Sequence, residues 1–181
     1  MSEFFDNFDI RSFSSLGKSN VISSNAMLAS SHPIASSAGL DVLKSGGNAV
    51  DAAIAMNAVL CIAEPHMTGV GGDCFVMLSV DGSTNIKALN GSGKSSSNAK
   101  ASDLRKNKLS VITPEMPDAI TIPGAVEAWS LLHKEHGYMP WKELFNPAID
   151  YARNGINIHE RVAFDWSKNL QKLSAILSVE L

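Results

Sequence analysis

The sequence predicts a protein of the α+β class, in which helices are layered on a largely antiparallel sheet. Apolar residues recur with helical spacing from Pro33 through residues 49–63 and again from Ala125 onward. Between these regions the apolar run of residues 74–80 leads into an Asp-Gly turn sequence, and residues 86–89 follow as a second short run. This pattern is typical of a β-hairpin. Helix pairs that alternate with a hairpin predict helical and sheet layers around a shared core.

The composition limits the classes of partner. The chain has 181 residues, 45% of them apolar, and a formal net charge of -3, so it suits one domain or part of a larger one. This charge offers no basic surface to nucleic acid or to a membrane, and no run approaches transmembrane length. The start, MSEFFDNFDIRSF, is acidic where a secretory signal would be basic. We expect a cytoplasmic protein that binds small molecules or other protein segments.

The organisation along the chain predicts an N-terminal arm, residues 1–20, and one folded region, residues 21–181, that is incomplete at its C-terminal end. The arm carries scattered aromatic residues and serines without a period. Residues 25–29 predict a strand that ends before Pro33, a residue suited to the first turn of a helix. From residue 159 the spacing is helical and reaches residue 181 without a stop signal.

Two consecutive helices are predicted in the first third of the chain. The first ends at Gly46 and Gly47, because glycine adopts the left-handed conformation that closes a helix. Asn48 can cap the second helix, residues 49–63, and Asp51 at its third position lies at the positive end of the helix dipole. The second helix is rich in alanine and apolar nearly all round. We therefore expect it to be buried and to lie close to a sheet.

Three glycines, Gly69, Gly71 and Gly72, precede the apolar run at residues 74–80. A phosphate-binding glycine loop follows a strand and opens a helix, whereas this loop follows a helix and leads into a strand. The order of elements therefore disfavours a nucleotide-binding module. We expect the loop to be scaffold that lets backbones approach closely, and the unbroken apolar character of the strand predicts cover on both faces.

The remaining segments are a loop and further helices. Residues 90–103, NGSGKSSSNAKASD, have the composition of a loop, which can also be a functional one. A helix is predicted over residues 125–136 with Gly137 as its stop, and Pro140 begins another helix that ends near Gly155.

Residues that could bind a metal are scattered rather than clustered. The spacing of His32, Cys61, His66 and Cys74 fits no structural zinc site. Cysteines beside apolar residues usually belong to the core, and two cysteines alone assign no redox role. We predict no metal and no cofactor.

Other polar residues have structural interpretations. His133 and His136 predict a solvated face of an amphipathic helix. Glu64 and Asp73 flank the glycine loop and are expected to be caps or surface groups rather than a general acid–base pair. His32 before Pro33 is expected to cap a helix or pack in the interior.

The stretch MLASSHPIASSAGLDVLKSGGNAVDAAIAMNAVLCIAEPHMTGVGGDCFVML closely resembles the opening of the gamma-glutamyltransferase family. That family has a strand, Ala-Ser-Ser-His-Pro, a helix, Gly-Gly-Asn-Ala-Val-Asp-Ala-Ala, Glu-Pro and a glycine-rich turn into a strand. Residues 29–33, 46–53, 64–65 and 69–72 follow this order. TIPGAVEAWSLLHKEHGYMPWKELFNPAIDYARNG resembles the next family segment, so the likeness covers about residues 27–155.

This resemblance implies an N-terminal-nucleophile hydrolase with an αββα sandwich, of which the chain is the N-terminal, large-subunit part. In that family the precursor cuts itself, and a threonine at the new N-terminus attacks a gamma-glutamyl amide with its own α-amino group as base. The threonine belongs to a part of the family sequence beyond this chain. The resemblance therefore implies no catalytic residue here, a missing C-terminal half or small subunit as partner, and no activity of the chain alone.

One loop departs from many transferases of the family. They carry Asp-Gly-Arg-Glu after the hairpin, and the arginine pairs with the α-carboxylate of the glutamyl group. Here the stretch is Asn90-Gly91-Ser92-Gly93, which places Ser92 at the arginine position. Serine lacks the charged bidentate fork, and Lys94 supplies only a point charge. The chain thus resembles the branch of the family that lacks the glutamyl-binding arginine. The candidate substrate-binding residues are Asn90, Ser92 and Lys94.

Two kinds of function stay open on the sequence. The first is gamma-glutamyltransferase-like acyl transfer or amide hydrolysis, acting in the complete self-cleaved enzyme on glutathione, on related gamma-glutamyl amides, or on a non-glutamyl amide as in the similar cephalosporin acylases. The second is an inactive truncated fragment. Half of a sandwich exposes a sheet edge and an apolar face, so the chain alone is expected to aggregate or to bind hydrophobic dye.

Overall fold

The computed structural model describes residues 20–114 and 116–177. They form two compact units: Ser30–Ile156, and a second unit whose described residues are 20–29 and 157–177. The second unit holds the helix Glu160–Leu177, which agrees with the helical spacing predicted there. The predicted arm lies outside the described residues except for Asn20. The predicted strand at residues 25–29 is wrong, because a strand needs a hydrogen-bonded neighbour and no described segment pairs with it.

Two helices begin the first unit and confirm the sequence prediction. Helix α1 is Pro33–Lys44 and helix α2 is Ala49–Ala63. The chain leaves α1 through Gly46, whose φ of +94° suits a residue without a side chain. Asn48 then caps α2 through its side chain, and the carboxylate of Asp51 accepts the Asn48 N–H at 3.0 Å. This reciprocal pair fixes where α2 starts.

A β-hairpin follows the glycine loop, as predicted. Strand β1, Cys74–Ser79, pairs in antiparallel register with strand β2, Ile86–Gly91. Asp81 and Gly82 in the connection both have positive φ, 53° and 69°, as a hairpin turn with the right-handed strand twist requires. Cys74 lies opposite Gly91, so the first residue of β1 and the last residue of β2 are neighbours.

The hairpin is covered on one face only by described residues. Cys74 and Leu78 pack towards Trp129 of the helix Ala125–His136. On the opposite face, Phe75 and Met77 are 69% and 79% exposed. The expectation of cover on both faces is wrong for the described part of the chain, since its helices reach only one side of the sheet.

The core of the first unit is built mainly between helices. One cluster joins α1, α2 and a later helix through small side chains such as Ala35, Ala58 and Ala148. A second cluster places Ile54 of α2 against Trp129. Helix α2 is buried as predicted, but its main packing partners are helices rather than the expected sheet. Its alanines let α1 approach closely, and this determines the packing.

The later elements follow the sequence in part. Helix α3 is Ala101–Lys106, and β2 extends to Gly91, so the predicted loop of residues 90–103 is shorter than expected. Helix α4, Ala125–His136, ends at Gly137 as predicted. The predicted helix after Pro140 is divided into a 3-10 helix, Trp141–Phe145, and helix α5, Asn146–Asn154. Among the described helices, none combines the length and apolar character that a membrane span needs.

Candidate functional site

The segment Asn90 to Lys94 comprises the end of β2 and the start of the loop after it, and its shape is set by hydrogen bonds at three successive residues. The side-chain oxygen of Asn90 accepts the N–H of Ser92 at 3.0 Å and its hydroxyl at 2.7 Å. The next N–H, that of Gly93, donates to the carboxylate of Asp73 at 2.9 Å. The Lys94 carbonyl accepts the N–H of Ile122 at 2.9 Å. The three predicted substrate-binding residues therefore lie in one ordered loop.

Three glycines allow this loop to lie directly on the start of α4. A Cβ on Gly91 would lie 2.5 Å from the Cβ of Ala128, and a Cβ on Gly93 would overlap the carbonyl oxygen of Ile122. A Cβ on Gly124 would overlap the carbonyl oxygen of Gly91. The loop and helix are thus in backbone contact that only glycine permits.

The loop borders a cavity of about 310 Å³ between the end of β2 and α4. This volume is at the lower end of the range for small-molecule sites. Asn90, Ser92 and Lys94 all line it, together with the exposed carboxylate of Glu127. Among the described residues, no side chain forms an ion pair or hydrogen bond with the Lys94 ammonium. From the part of the chain that the structure describes, the cavity therefore offers one free cation, one carboxylate and two neutral polar side chains.

Asp73 is the residue of this site that the sequence analysis assigned differently. It is exposed, as expected, but its carboxylate holds the loop through Gly93 and lies 3.5 Å from the hydroxyl of Thr121. The register could have identified it: because Cys74 pairs with Gly91, the residue before β1 must lie beside the residues after β2.

The glycine loop before β1 does not have the close contacts that were expected of it. Ideal Cβ atoms on Gly69 and Gly71 would meet nothing within 4 Å, and neither residue has positive φ. Gly72 contributes through its carbonyl, which accepts the N–H groups of Gly124 and Ala125 at 3.1 and 3.0 Å. The expectation of close backbone approach is wrong for Gly69 and Gly71, because the crowded glycines at this end of the hairpin lie at the end of β2 and just after it, at Gly91 and Gly93.

A larger cavity of about 550 Å³ runs along β1. It is lined by every residue from Asp73 to Leu78, by α2, and by Trp129. Consecutive residues of a strand line the same cavity when that cavity follows the edge of the strand. Because β1 pairs only with β2 in the described sheet, its other edge is open, and the cavity lies along this edge. Asp73 thus borders this open edge and also holds the loop that lines the smaller cavity.

Comparison with known proteins identifies the family. The sequence matches the family described as Gamma-glutamyltranspeptidase over residues 35–179. The chain belongs to this family. The matched range includes the hairpin, the Asn90 to Lys94 loop and α4, so the family relationship covers the whole candidate site.

Comparisons with individual proteins agree with this assignment. The chain is 38% identical over 156 residues to the glutathione hydrolase-like YwrD proenzyme of Bacillus subtilis (strain 168), covering 86% of this chain and 30% of that protein. It resembles the crystal structure of a cephalosporin acylase from Bacillus halodurans with a TM-score of 0.82 and 34% identity, covering 93% and 31% of the two chains. For Helicobacter pylori gamma-glutamyltranspeptidase the TM-score is 0.74 at 29% identity, covering 83% and 44%. The chain spans less than half the length of these relatives.

The other polar residues of this family member have structural roles. His32 is the N-cap of α1, as expected, and its Nδ1 accepts the N–H of Ile34 at 3.3 Å. Glu64 ends α2 as its C-cap residue, and its buried carboxylate accepts the hydroxyl of Ser31. The solvated face predicted for His133 and His136 is wrong, since both are half-buried; His133 lies 2.7 Å from the Met139 carbonyl and packs on the ring of Trp141.

The two cysteines are half-buried, free thiols. Burial raises the pKa of Cys61, and it raises the pKa of Cys74 although a hydrogen bond with Trp129 acts in the opposite direction. A raised pKa leaves little thiolate at neutral pH, so neither group is an activated nucleophile. In the described part of the chain, no three His, Cys, Asp or Glu side chains lie together as a metal site.

Proposed function

We propose that this chain is the N-terminal, large-subunit part of an N-terminal-nucleophile amidohydrolase that folds as an αββα sandwich and matures by self-cleavage. The observation that carries the proposal is the family match over residues 35–179, which spans the ordered loop and its cavity. The relative from Bacillus subtilis bears the name proenzyme, which supports maturation by cleavage. The exposed apolar face of β1 supports a second layer that packs there in the complete enzyme.

In this proposal the chain binds and orients the acyl group, and the reacting threonine comes from the rest of the family sequence. The threonine hydroxyl attacks the amide carbonyl, its α-amino group takes the hydroxyl proton and passes it to the amide nitrogen, and the C–N bond breaks to release the amine. Water or an amine acceptor then resolves the acyl-enzyme. No residue of this chain is assigned to bond cleavage, so the isolated chain is expected to be inactive.

The acyl donor is proposed to be an amide whose acyl group is not gamma-glutamyl. Gamma-glutamyl amides are then weak substrates of the enzyme. Ser92 stands at the position that the family resemblance gives to a carboxylate-binding arginine, and a serine hydroxyl offers no charged fork. The Ser92 hydroxyl is already bonded to Asn90. The similarity to a cephalosporin acylase favours an acyl group other than gamma-glutamyl. The second candidate function is that of an inactive fragment, which the experiment below distinguishes from the first.

The test uses the product of the complete reading frame that encodes this sequence. Its intact mass is measured, and hydrolysis of gamma-glutamyl, glutaryl and pentanoyl p-nitroanilides is followed. Two cleaved chains with amidase activity and a gamma-glutamyl KM well above the micromolar range are expected. A micromolar gamma-glutamyl KM would contradict weak glutamyl recognition. A single chain without activity on any acyl anilide would favour the inactive fragment.

A further inference from the structure

We propose that Asp73 is a specificity-determining residue that makes the site discriminate against acyl groups whose distal end carries a carboxylate. The inference rests on the proposed amidohydrolase function. It names the substrate class as amides of neutral acyl groups, such as an alkanoyl chain, in preference to dicarboxylic acyl groups of equal length.

Asp73 already occupies donors that an anionic substrate would use at this loop. The N–H of Gly93 donates to one oxygen of Asp73 at 2.9 Å, and the Thr121 hydroxyl lies 3.5 Å from the same oxygen. The preceding donors, the N–H and hydroxyl of Ser92, are bonded to Asn90. A substrate carboxylate at this loop would therefore have to displace a carboxylate of the protein or leave its own oxygens unpaired.

The carboxylate of Asp73 also lies close to Ser92. Two backbone bonds separate the Gly93 nitrogen from the Cα of Ser92, so the Asp73 oxygen lies within about 6 Å of that Cα. Ser92 is the position at which the family resemblance places the carboxylate-binding arginine. An anionic acyl end seated there would meet the charge of Asp73 well inside the screening length of about 8 Å at physiological salt.

The charged side chains around the loop do not cancel the charge of Asp73. Lys94 and Glu127 line the same cavity with opposite charges, so they offset each other to first order. Among the described residues, Asp73 lies outside this lining but holds its loop, and it adds one further negative charge beside the subsite. At this separation the Coulomb repulsion between two carboxylates corresponds to roughly threefold at the dielectric constant of water and roughly a hundredfold at that of a protein surface, and screening by physiological salt brings the larger effect to roughly tenfold.

The experiment compares two substrates that differ only in one group. Glutaryl and pentanoyl p-nitroanilides have the same chain length, and a methyl group in the second replaces the carboxylate of the first. The ratio of kcat/KM for pentanoyl over glutaryl is measured with the complete reading-frame product and its Asp73→Asn variant. Asparagine retains an oxygen that can accept the Gly93 N–H, so it removes the charge while preserving the anchor.

The wild type is expected to prefer pentanoyl, and Asp73→Asn is expected to lower the ratio by roughly three- to tenfold. Asp41→Asn, at an exposed position on α1, is the matched control and should leave the ratio unchanged. The wild-type ratio should also fall as salt rises from about 10 mM to 1 M, where the screening length shortens from about 30 to 3 Å. The salt series needs no variant, so it tests the proposal even if Asp73→Asn does not fold.

The outcomes separate this inference from the function on which it rests. Hydrolysis of both substrates with a ratio that neither Asp73→Asn nor salt changes would overturn the inference and leave the amidohydrolase intact. Equal loss of both activities in folded Asp73→Asn would also overturn it, because the residue would then act on the reaction itself or on the shape of the loop. Failure of the wild type to hydrolyse any acyl anilide would overturn the function and the inference together.

Discussion

The carboxylate of Asp51 accepts the backbone N–H of Tyr138 at 3.1 Å, although 87 residues separate them in the sequence. The same carboxylate accepts the N–H of Met139 at 3.1 Å and that of Asn48 at 3.0 Å. Asp51 is fully buried. The Asp51 side chain therefore caps the start of α2 and also holds the segment that follows α4. These hydrogen bonds fix the position of α4 relative to α2.

We predict that Asp51→Asn lowers the free energy of unfolding by about 3 kcal/mol, because the amide group faces N–H groups that the carboxylate had satisfied. Urea titration of the complete reading-frame product followed by circular dichroism measures the change. Asp41→Asn removes an exposed carboxylate from α1 and should stay within about 0.5 kcal/mol of wild type. Equal effects of the two substitutions would mean that the Asp51 hydrogen bonds add nothing to stability.

Glycine positions provide a second prediction. Gly93→Ala should destabilise the protein by at least 1–3 kcal/mol, roughly the effect of overpacking, because the new methyl group would overlap the Ile122 carbonyl. Gly71→Ala should change stability by about 0.5 kcal/mol or less, since nothing lies within 4 Å of its Cβ position. Thermal melts of both variants provide the comparison. A larger effect at Gly71 than at Gly93 would contradict the packing described for the loop.

These elements show what the sequence could and could not predict. The ends of α1, α2 and α4 depend on local signals, namely Gly46, Asn48 and Gly137, and these were predicted correctly. The three candidate residues line one cavity because they are adjacent in the chain, and their role in substrate binding stays a prediction. The roles of Asp51 and Asp73 in joining distant segments were missed, since hydrogen bonds between such segments leave no periodic pattern.

Errors in the prediction have the same origin. The glycine run before β1 suggested crowding, but crowding arises where two distant segments meet, at Gly93 and Gly124. The amphipathic pattern of its own helix predicts a solvated face for His133, whereas the later residue Trp141 packs against its ring. The apolar run of β1 predicted two covered faces, and the described chain supplies helices for only one. In each case a contact distant in sequence determines the outcome.

The uncovered face of the hairpin gives a third prediction. Residues 1–181 alone should bind a hydrophobic dye such as anilinonaphthalene sulfonate, because Phe75 and Met77 project from the sheet without cover from the described residues. The double variant Phe75→Ser and Met77→Thr should reduce dye fluorescence severalfold and raise the soluble fraction. Lys87→Ser, at another position in the hairpin, serves as the control. Unchanged fluorescence in the double variant would mean that the dye binds elsewhere.

The cysteines give a pH prediction. Burial raises the pKa of both thiols above the usual value of about 8.5, so the folded protein keeps these protons at a pH where the unfolded chain loses them. The stabilisation is fully present below the unfolded pKa and is lost as the pH rises towards the folded values. We expect the urea midpoint to fall between pH 7.5 and 9.5, with a smaller fall for Cys61→Ala and Cys74→Ala combined. Iodoacetamide should modify the native thiols more slowly than free cysteine.

A final prediction concerns Ser92 in the complete reading-frame product, and it depends on the proposed amidohydrolase function. Ser92→Arg restores a bidentate cation where the family resemblance places one, so kcat/KM for gamma-glutamyl p-nitroanilide should rise. Asp73 lies beside the same position and can pair with the new guanidinium, which limits the gain to a few-fold. Adding Asp73→Asn frees the guanidinium. The change in kcat/KM of the double variant should therefore exceed the product of the two single changes by roughly tenfold, a coupling typical of neighbouring charges.

Steady-state kinetics of the four proteins in this cycle measure that coupling. Ser95→Arg adds the same charge just beyond the ordered loop and should not couple to Asp73→Asn. Strict multiplication of the Ser92→Arg and Asp73→Asn effects would mean that the two positions act on the substrate independently. Coupling of Asp73→Asn to Ser92→Arg but not to Ser95→Arg would instead mean that the charge of Asp73 and the missing arginine act together on substrate specificity. A carboxylate of the protein would then occupy the donors that a glutamyl substrate needs.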